Sequence, residues 1–329
     1  MPKPYIDELK EGQSVTSFFA VRKREVREYD GRPFLVLEFG DKTGRIQATI
    51  WEDVDQAKDL VQIGDVAKVK GTVINYKDAL QIKVEKLRKA SPKEYDLADL
   101  LTTSDKDREE VFRALQKRSK TVKDEHLREL LRLCFSDPSV VERFKTAPGG
   151  KLWHHAYLGG LLEHTLAVME ICNVAATIYP LVDRSLLLAG ALLHDIGKIE
   201  AYECTTFIDY TDIGRLEGHV VLSAKFVEKQ IAEIAGFSQE LKVRLLHLVL
   251  SHHRELRYGS PVVPMTLEAL VLAYANEMDT RAAAFARVIQ AEKEPGHTWS
   301  RWVNLIDRYI YFGESPPSIE EEPDPGESH

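Results

Sequence analysis

The feature that most constrains the fold of this 329-residue chain is a change of hydrophobic period near Tyr95. Before it, SVTSFFAV, PFLVLEF, RIQATIW, DVAKVKGTVI and ALQIKVEKL alternate apolar and polar residues with period two. Turn signals bound them at Asp30-Gly31, Gly40-Asp41, Thr43-Gly44, Gly64-Asp65 and Lys77-Asp78. Five strands within about 75 residues, with no helical crossover between them, predict a small closed or partly open β-barrel over residues 1–90. After it, apolar residues recur every three or four positions over 106–118, 124–135, 160–179, 185–201, 218–235, 239–251, 266–292 and 299–312. That pattern predicts an all-α bundle over 106–313, so the fold class is α+β in two domains. Ser91-Pro92 opens a linker or short arm over 91–105, and the Pro-rich acidic run over 314–329 reads as a disordered tail.

Composition excludes several classes. With 44% hydrophobic and 29% charged residues, the chain can bury real cores and is not wholly disordered. No apolar run reaches the ~18 residues of a membrane span, so no membrane partner is expected. The opening MPKPYIDELKEG lacks the apolar stretch of a secretory signal. Cys134, Cys172 and Cys204 are too far apart for a CxxC site, and a reducing cytoplasm is the expected location. The net charge of −8 argues against nucleic-acid binding by bulk electrostatics. However, residues 1–94 hold 18 Lys/Arg against 16 Asp/Glu, while residues 314–329 hold six acids and no Lys or Arg. The acidity belongs largely to the tail.

Eight of the eleven histidines fall between His154 and His253, which points to a shared task, and neutral imidazole is a common ligand for divalent metals. In LLHDIGKIE, His194 and Asp195 follow directly on an apolar helix, where an ionisable pair is costly unless paired or metal-bound. A hydrogen-bonded pair in a helix cap is the competing reading. Adjacent helical residues diverge by ~100°, so both can grip one ion only from a helix terminus or from two sides of a cleft. Asp195 has two oxygens and can bridge two ions. Lys198 shares their face, and Gly197 offers room for a ligand to approach the backbone. His247, among apolar neighbours, reads as a core histidine. No GxSxG elbow, cysteine nucleophile or Walker A string appears.

The ordered series HHAYLGGLLEHT, LLHDIGK, EGH, LSHHRELRYGSPVVPMTLEALVLAYANEMD and WSRWVNLIDRYIY is similar to the HD superfamily of metal-dependent phosphohydrolases. With DKTGRIQATIW and GDVAKVKGTV in the β half, the chain more closely resembles the YhaM family of 3′→5′ exoribonucleases, over about residues 13–312. The resemblance implies an OB-fold followed by a helical HD domain. It implies that His164, His194 and Asp195 hold one divalent ion, and that Asp195, His219 and His252 or His253 hold a second. Lys198 would neutralise the scissile phosphate. His154 and His155 would lie near the cleft, contacting substrate or protonating a leaving group, or pack as supporting residues. Asn276 stands where such proteins usually carry an aspartate ligand; Asp279, three residues on, could substitute or support the ligands from behind, and both are expected to line the site. Mixed His/Asp ligation suits Mn²⁺, Fe²⁺, Co²⁺, Ni²⁺ or Zn²⁺ better than an all-oxygen cage, Mg²⁺ is left open, and the resemblance favours Mn²⁺.

Strand alternation places Arg45, Gln47, Thr49 and Trp51 on one face of RIQATIW, Lys68 and Lys70 on that of VAKVKGTV, and Gln81 and Lys83 opposite Leu80, Ile82 and Val84. Loop residues Arg22, Lys23, Arg24, Tyr76 and Lys77 would extend this cationic face, with Phe34 as a second platform. Such a mixture tracks a phosphate backbone and stacks bases without reading sequence, so single-stranded RNA or DNA is the expected partner. Three functions compete: a metal-dependent 3′→5′ exonuclease, an HD nucleotidase or cyclic-nucleotide phosphodiesterase with a β sensor domain, and a non-catalytic nucleic-acid binder with a decayed metal site. A homo-oligomer is left open.

Overall fold

The computed structural model describes residues 4–76, 79–104, 106–151, 155–293, 297–304 and 306–313. Lys77, His154 and the tail over 314–329 lie outside the described residues. The alternating segment forms β1 (Ser14–Tyr29), β2 (Arg32–Gly40), β3 (Arg45–Ile50), a short helix α1 (Val54–Leu60), β4 (Val66–Tyr76) and β5 (Ala79–Lys89). They close into a barrel in the order β1-β2-β3-β5-β4, all neighbours antiparallel except β3 and β5. The inward set Phe19, Leu37, Phe39, Ala48, Val69 and Ile82 fills the barrel, as period-two alternation requires. Leu80 departs from the expected inward face and is exposed. Arg22, Lys23 and Arg24 are not in a loop. They continue β1, whose register against β2 shifts between Val21 and Lys23, a β-bulge. Tyr76 is likewise the last residue of β4.

The segment 91–104 is a packed arm rather than a spacer. Leu100 is fully buried with Val66 and Ala90, Lys42 N donates to Asp99 O, and Ser104 N donates to Leu158 O. The arm thus ties the barrel to the helices by burial and by backbone hydrogen bonds.

The helical part comprises α2 (Arg108–Ser119), α3 (Glu125–Cys134), α4 (Pro138–Thr146), α5 (Gly160–Ile178), α6 (Arg184–Leu193), α7 (Lys198–Ala201), α8 (Asp212–Leu216), α9 (Gly218–Ala232), α10 (Gln239–Ser251) and α11 (Leu267–Glu292). A two-stranded hairpin, β6 (Tyr202–Cys204) and β7 (Ile208–Tyr210), interrupts it. Helix α4 escaped the periodicity because it is nine residues long and buries one side chain, Phe144; Asp137 caps it and Pro138 starts it. Helix α5 is long and apolar enough by length and composition to cross a membrane, although Glu163, His164 and Glu170 interrupt its apolar run. It is a core helix here, packing Leu161, Leu162, Val168 and Met169 against α6.

The segment 299–312 is not a helix. Bridges Trp299–Tyr311 and Val303–Arg308 and the bond from Ser300 N to Ile310 O fold its described residues into an irregular hairpin. Val303, Ile310 and Phe312 pack on Val288 of α11, and burying that cluster outweighs a helical spacing that strands satisfy equally well.

The stretch 185–201 divides into α6 and α7. Bonds from Ile196 N to Leu193 O and from Lys198 N to Asp195 O tighten the chain between them. Gly197 sits in this turn, and its room is taken by protein, not by a ligand. A Cβ there would lie 2.4 Å from His219 O and 2.4 Å from Ser223 N of α9. Gly197→Ala should therefore push α9 off the turn and destabilise the fold by about 1–3 kcal/mol, read as a lowered urea midpoint at unchanged slope. An unchanged midpoint would show that the two backbones need not meet so closely.

Candidate metal centre and nucleic-acid interface

Four elements converge on one carboxylate. His164 projects from the first turns of α5, His194 and Asp195 from the end of α6, His219 from the start of α9, and His252-His253 from the end of α10. Helix termini supply most of them, so the adjacent pair His194-Asp195 can reach one point. Asp195 Oδ2 lies 3.4 Å from His164 Nε2 and 3.3 Å from His194 Nε2. Asp195 Oδ1 lies 3.3 Å from His219 Nε2 and 3.4 Å from His252 Nε2. His253 Nε2 faces His219 Nε2 at 3.2 Å.

The tautomers follow from the backbone. The Nδ1 atoms of His194, His252 and His253 each donate to a carbonyl oxygen, of Ala191, Val249 and Tyr258, at 2.8, 2.6 and 2.8 Å. A carbonyl only accepts, so each neutral ring presents a lone pair at Nε2. His164 does the same through Asp279, whose Oδ2 takes its Nδ1–H at 2.6 Å. Lone pairs therefore face lone pairs, as with His164 and His194 at 3.2 Å, and lone pairs face carboxylate oxygens. Asp195 Oδ1 and His252 Nε2 are buried with no hydrogen-bond partner. Positive charge between these atoms relieves the repulsion, and the His/Asp donor set fits a divalent metal.

Burial keeps the rings neutral and ready to ligate. It pushes the pKa of His194, His219 and His252 down, and that of His253 down to about 4. Burial opposes charging His164 too, but the nearby carboxylates of Asp195 and Asp279 outweigh it and raise its pKa. Burial likewise opposes charge on Asp195, yet Lys198 and His194 hold its carboxyl well below the usual range. The pH dependence of the metal-free protein follows. The four depressed histidines take protons in the unfolded chain near 6.5 but resist them when folded, so unfolding gains protons as pH falls. The urea midpoint measured in chelator should fall from pH 7 toward pH 4, and a level or rising midpoint would contradict neutral buried rings.

The remaining expected residues take distinct places. Lys198 is buried, with Nζ 2.6 Å from Asp195 Oδ2 and 2.6 Å from Gly149 O. Asp279 reaches His155 Nε2 at 2.9 Å as well as His164, and Tyr157 OH meets His155 Nδ1 at 2.9 Å. Both ring nitrogens of His155 are engaged, so this geometry gives it an orienting place. Asn276 Nδ2 donates to His252 O at 3.3 Å and lines the cleft beside Asp195, Lys198, His252 and His253. His247 is half-buried and accepts from Met265 N at 2.8 Å, outside the cluster.

This architecture has known counterparts. Residues 161–281 match the HD domain family, and residues 19–90 match an OB-fold nucleic acid binding domain. The 3′-5′ exoribonuclease YhaM of Geobacillus sp. (strain WCH70) is 30% identical over 283 residues, 86% of each chain. That of Bacillus subtilis (strain 168) is 30% identical over 284 residues, 86% of this chain and 89% of the relative. The chain belongs to the YhaM family of 3′-5′ exoribonucleases.

The family's OB half carries the expected cationic and aromatic residues in three groups. At the far end of β3, Trp51 stacks on Phe34 with centroids 4.4 Å apart and rings 10° from parallel, while Tyr29 meets Trp51 edge-on at 6.5 Å. Lys83, paired opposite Thr49 of β3, lines the same hollow as Trp51. At the near end of β3, Arg22 and Arg45 line a cavity shared with the HD half. Lys68, over the Phe18 ring at 5.2 Å, and Lys70, 3.6 Å from Glu85, lie on β4, separated from β3 by β5. Arg24 donates to Lys58 O and Val61 O, closing the end of α1, and Tyr76 is exposed.

Proposed function

We propose that this protein is a metal-dependent exonuclease that removes nucleoside monophosphates from the 3′ end of single-stranded RNA or DNA. The observation that carries the reading is Asp195, one buried carboxylate with lone-pair-bearing imidazoles on both of its oxygens. His164, His194 and Asp195 would hold one divalent ion, and Asp195, His219, His252 and His253 a second. When bound, a pair of ions supplies an activated water and charge neutralisation at a phosphodiester. Mn²⁺ is the ion we favour.

The chain's own residues do the positioning. Lys198 holds Asp195 in place and puts an ammonium at the cleft. Asp279 fixes the ring of His164, Asn276 holds the backbone turn of His252, and His155 steadies Asp279 from the open side. The barrel gives the strand a track: an aromatic platform at Phe34 and Trp51, then the outward residues of β3, then the cavity at Arg45. The test is 5′-labelled single-stranded RNA incubated with Mn²⁺, with and without chelator. A ladder shortening from the 3′ end, abolished by chelator, is the expected result. Intact RNA beside hydrolysed mononucleotides would favour a nucleotidase, and binding without turnover a non-catalytic protein; either overturns the proposal.

A further inference from the structure

The barrel and the helical half enclose a cavity of about 460 Å³. Its lining includes Ala156, one residue beyond His155, and Arg287, eight residues along α11 from Asp279. That separation is about 12 Å of helix. One side chain in it lacks what buried guanidiniums require. Arg22 Nε is buried with no hydrogen-bond partner, and no carboxylate forms an ion pair with Arg22 among the described residues. A half-buried guanidinium with no carboxylate partner is costly to desolvate further, and Arg is shaped to take an anion bidentately.

The surroundings show how Arg22 is held there. It is the extra residue of the β1 bulge, which turns its side chain away from the alternation of the strand and toward the helical half. Its stem lies flat across Gly40, where an added Cβ would sit 2.0 Å from Nε. Its guanidinium lies 5.9 Å from the ring centroid of Phe207, in the turn between β6 and β7. That turn docks on the barrel through the bond from Thr206 Oγ1 to Gly64 O at 2.8 Å. The acids of the cavity are otherwise engaged. Asp41 accepts from Ile6 N, Thr43 N and Gly44 N, Asp209 pairs with Lys151 and Arg215, and Glu38 pairs with Arg45. Burial and the neighbouring Arg45 lower the Arg22 pKa to about 10, against the opposing pull of Glu38 and Asp41.

We propose that Arg22 grips an internucleotide phosphate of the substrate strand, upstream of the bond being cleaved. It is a positioning residue, since it lies away from the metal centre. It makes the enzyme favour strands long enough to span both halves. The inference rests on the exonuclease reading, and its test separates the two.

The full chain, Arg22→Gln and Arg22→Lys are compared on an RNA of about 12 nucleotides and on a dinucleotide, with Mn²⁺. Arg22→Gln should raise KM for the longer RNA about tenfold while leaving kcat and dinucleotide turnover within about twofold, and Arg22→Lys should restore part of the loss. Binding of the same labelled RNA is measured in chelator against salt. Arg22→Gln should flatten the slope of log affinity against log salt by about 0.7, one phosphate contact on a single strand. This readout needs no turnover, so an inactive full chain sinks the exonuclease reading while the Arg22 contact is still decided by binding. Unchanged KM and salt slope, or equal losses on both RNAs, would overturn the proposal. So would stabilisation by inorganic phosphate or AMP that depends on Arg22 while RNA binding does not, which marks a small-anion site.

Discussion

Asp195→Asn should lower kcat on single-stranded RNA by at least about a thousandfold, a loss of roughly 4 kcal/mol of transition-state stabilisation. Both oxygens of this carboxylate face imidazole nitrogens at 3.3–3.4 Å, so one substitution weakens both proposed ion sites together. An amide keeps the shape but loses the charge that two divalent ions would share, and its NH₂ turns a donor toward lone pairs. The substitution also strands the buried Lys198, whose Nζ lies 2.6 Å from Asp195, so thermal stability of the variant has to be recorded beside activity. His219→Gln serves as the companion because it leaves that ion pair intact. It should lose about a hundredfold in kcat while unfolding near the full chain's midpoint. If both variants stay folded and retain activity within about tenfold, Asp195 is a structural acid and the centre lies elsewhere.

Asp279→Asn should weaken metal affinity by about 10–100-fold, with most of kcat recovered at saturating Mn²⁺. Asp279 Oδ2 takes the Nδ1–H of His164 at 2.6 Å and meets His155 Nε2 at 2.9 Å. Burial opposes its charge, and the two histidines overcome this, holding its carboxyl far below the ordinary aspartate value. The carboxylate thus aims the His164 ring and makes its Nε2 a better donor. A titration of activity against Mn²⁺ separates the cases. Recovery at high metal identifies an orienting residue, whereas a kcat loss that no concentration repairs would make Asp279 a ligand in its own right.

Much of the centre was legible because metal chemistry leaves residue types that packing alone does not gather. Histidines spread over 90 residues, from His164 to His253, had no other shared reason to recur. What each does was less legible. Asn276 and Asp279 both read as lining the site, but only the fold shows Asn276 donating to the His252 carbonyl and Asp279 holding two rings. Gly197 illustrates the same limit, since a missing Cβ looks alike whether a ligand or a helix backbone fills the space. The barrel was legible from alternation because each strand has one wet face. Arg22 read as a loop residue because a bulge adds one residue without changing composition, and its shift of register appears only in the pairing. The segment 299–312 failed for a related reason: Trp299, Val303 and Ile310 satisfy helical spacing, while the actual hairpin is set by contact with Val288.

The most direct test is a count of bound metal. The full chain, stripped by chelator and dialysed against saturating Mn²⁺, should hold about two ions per chain by elemental analysis, with a spin-coupled signal in electron paramagnetic resonance from ions that share a carboxylate. Asp195→Asn should abolish the coupling and most of the occupancy. A full chain that binds no Mn²⁺ at saturation, or binds ions whose coupling survives Asp195→Asn, would contradict a centre built on Asp195.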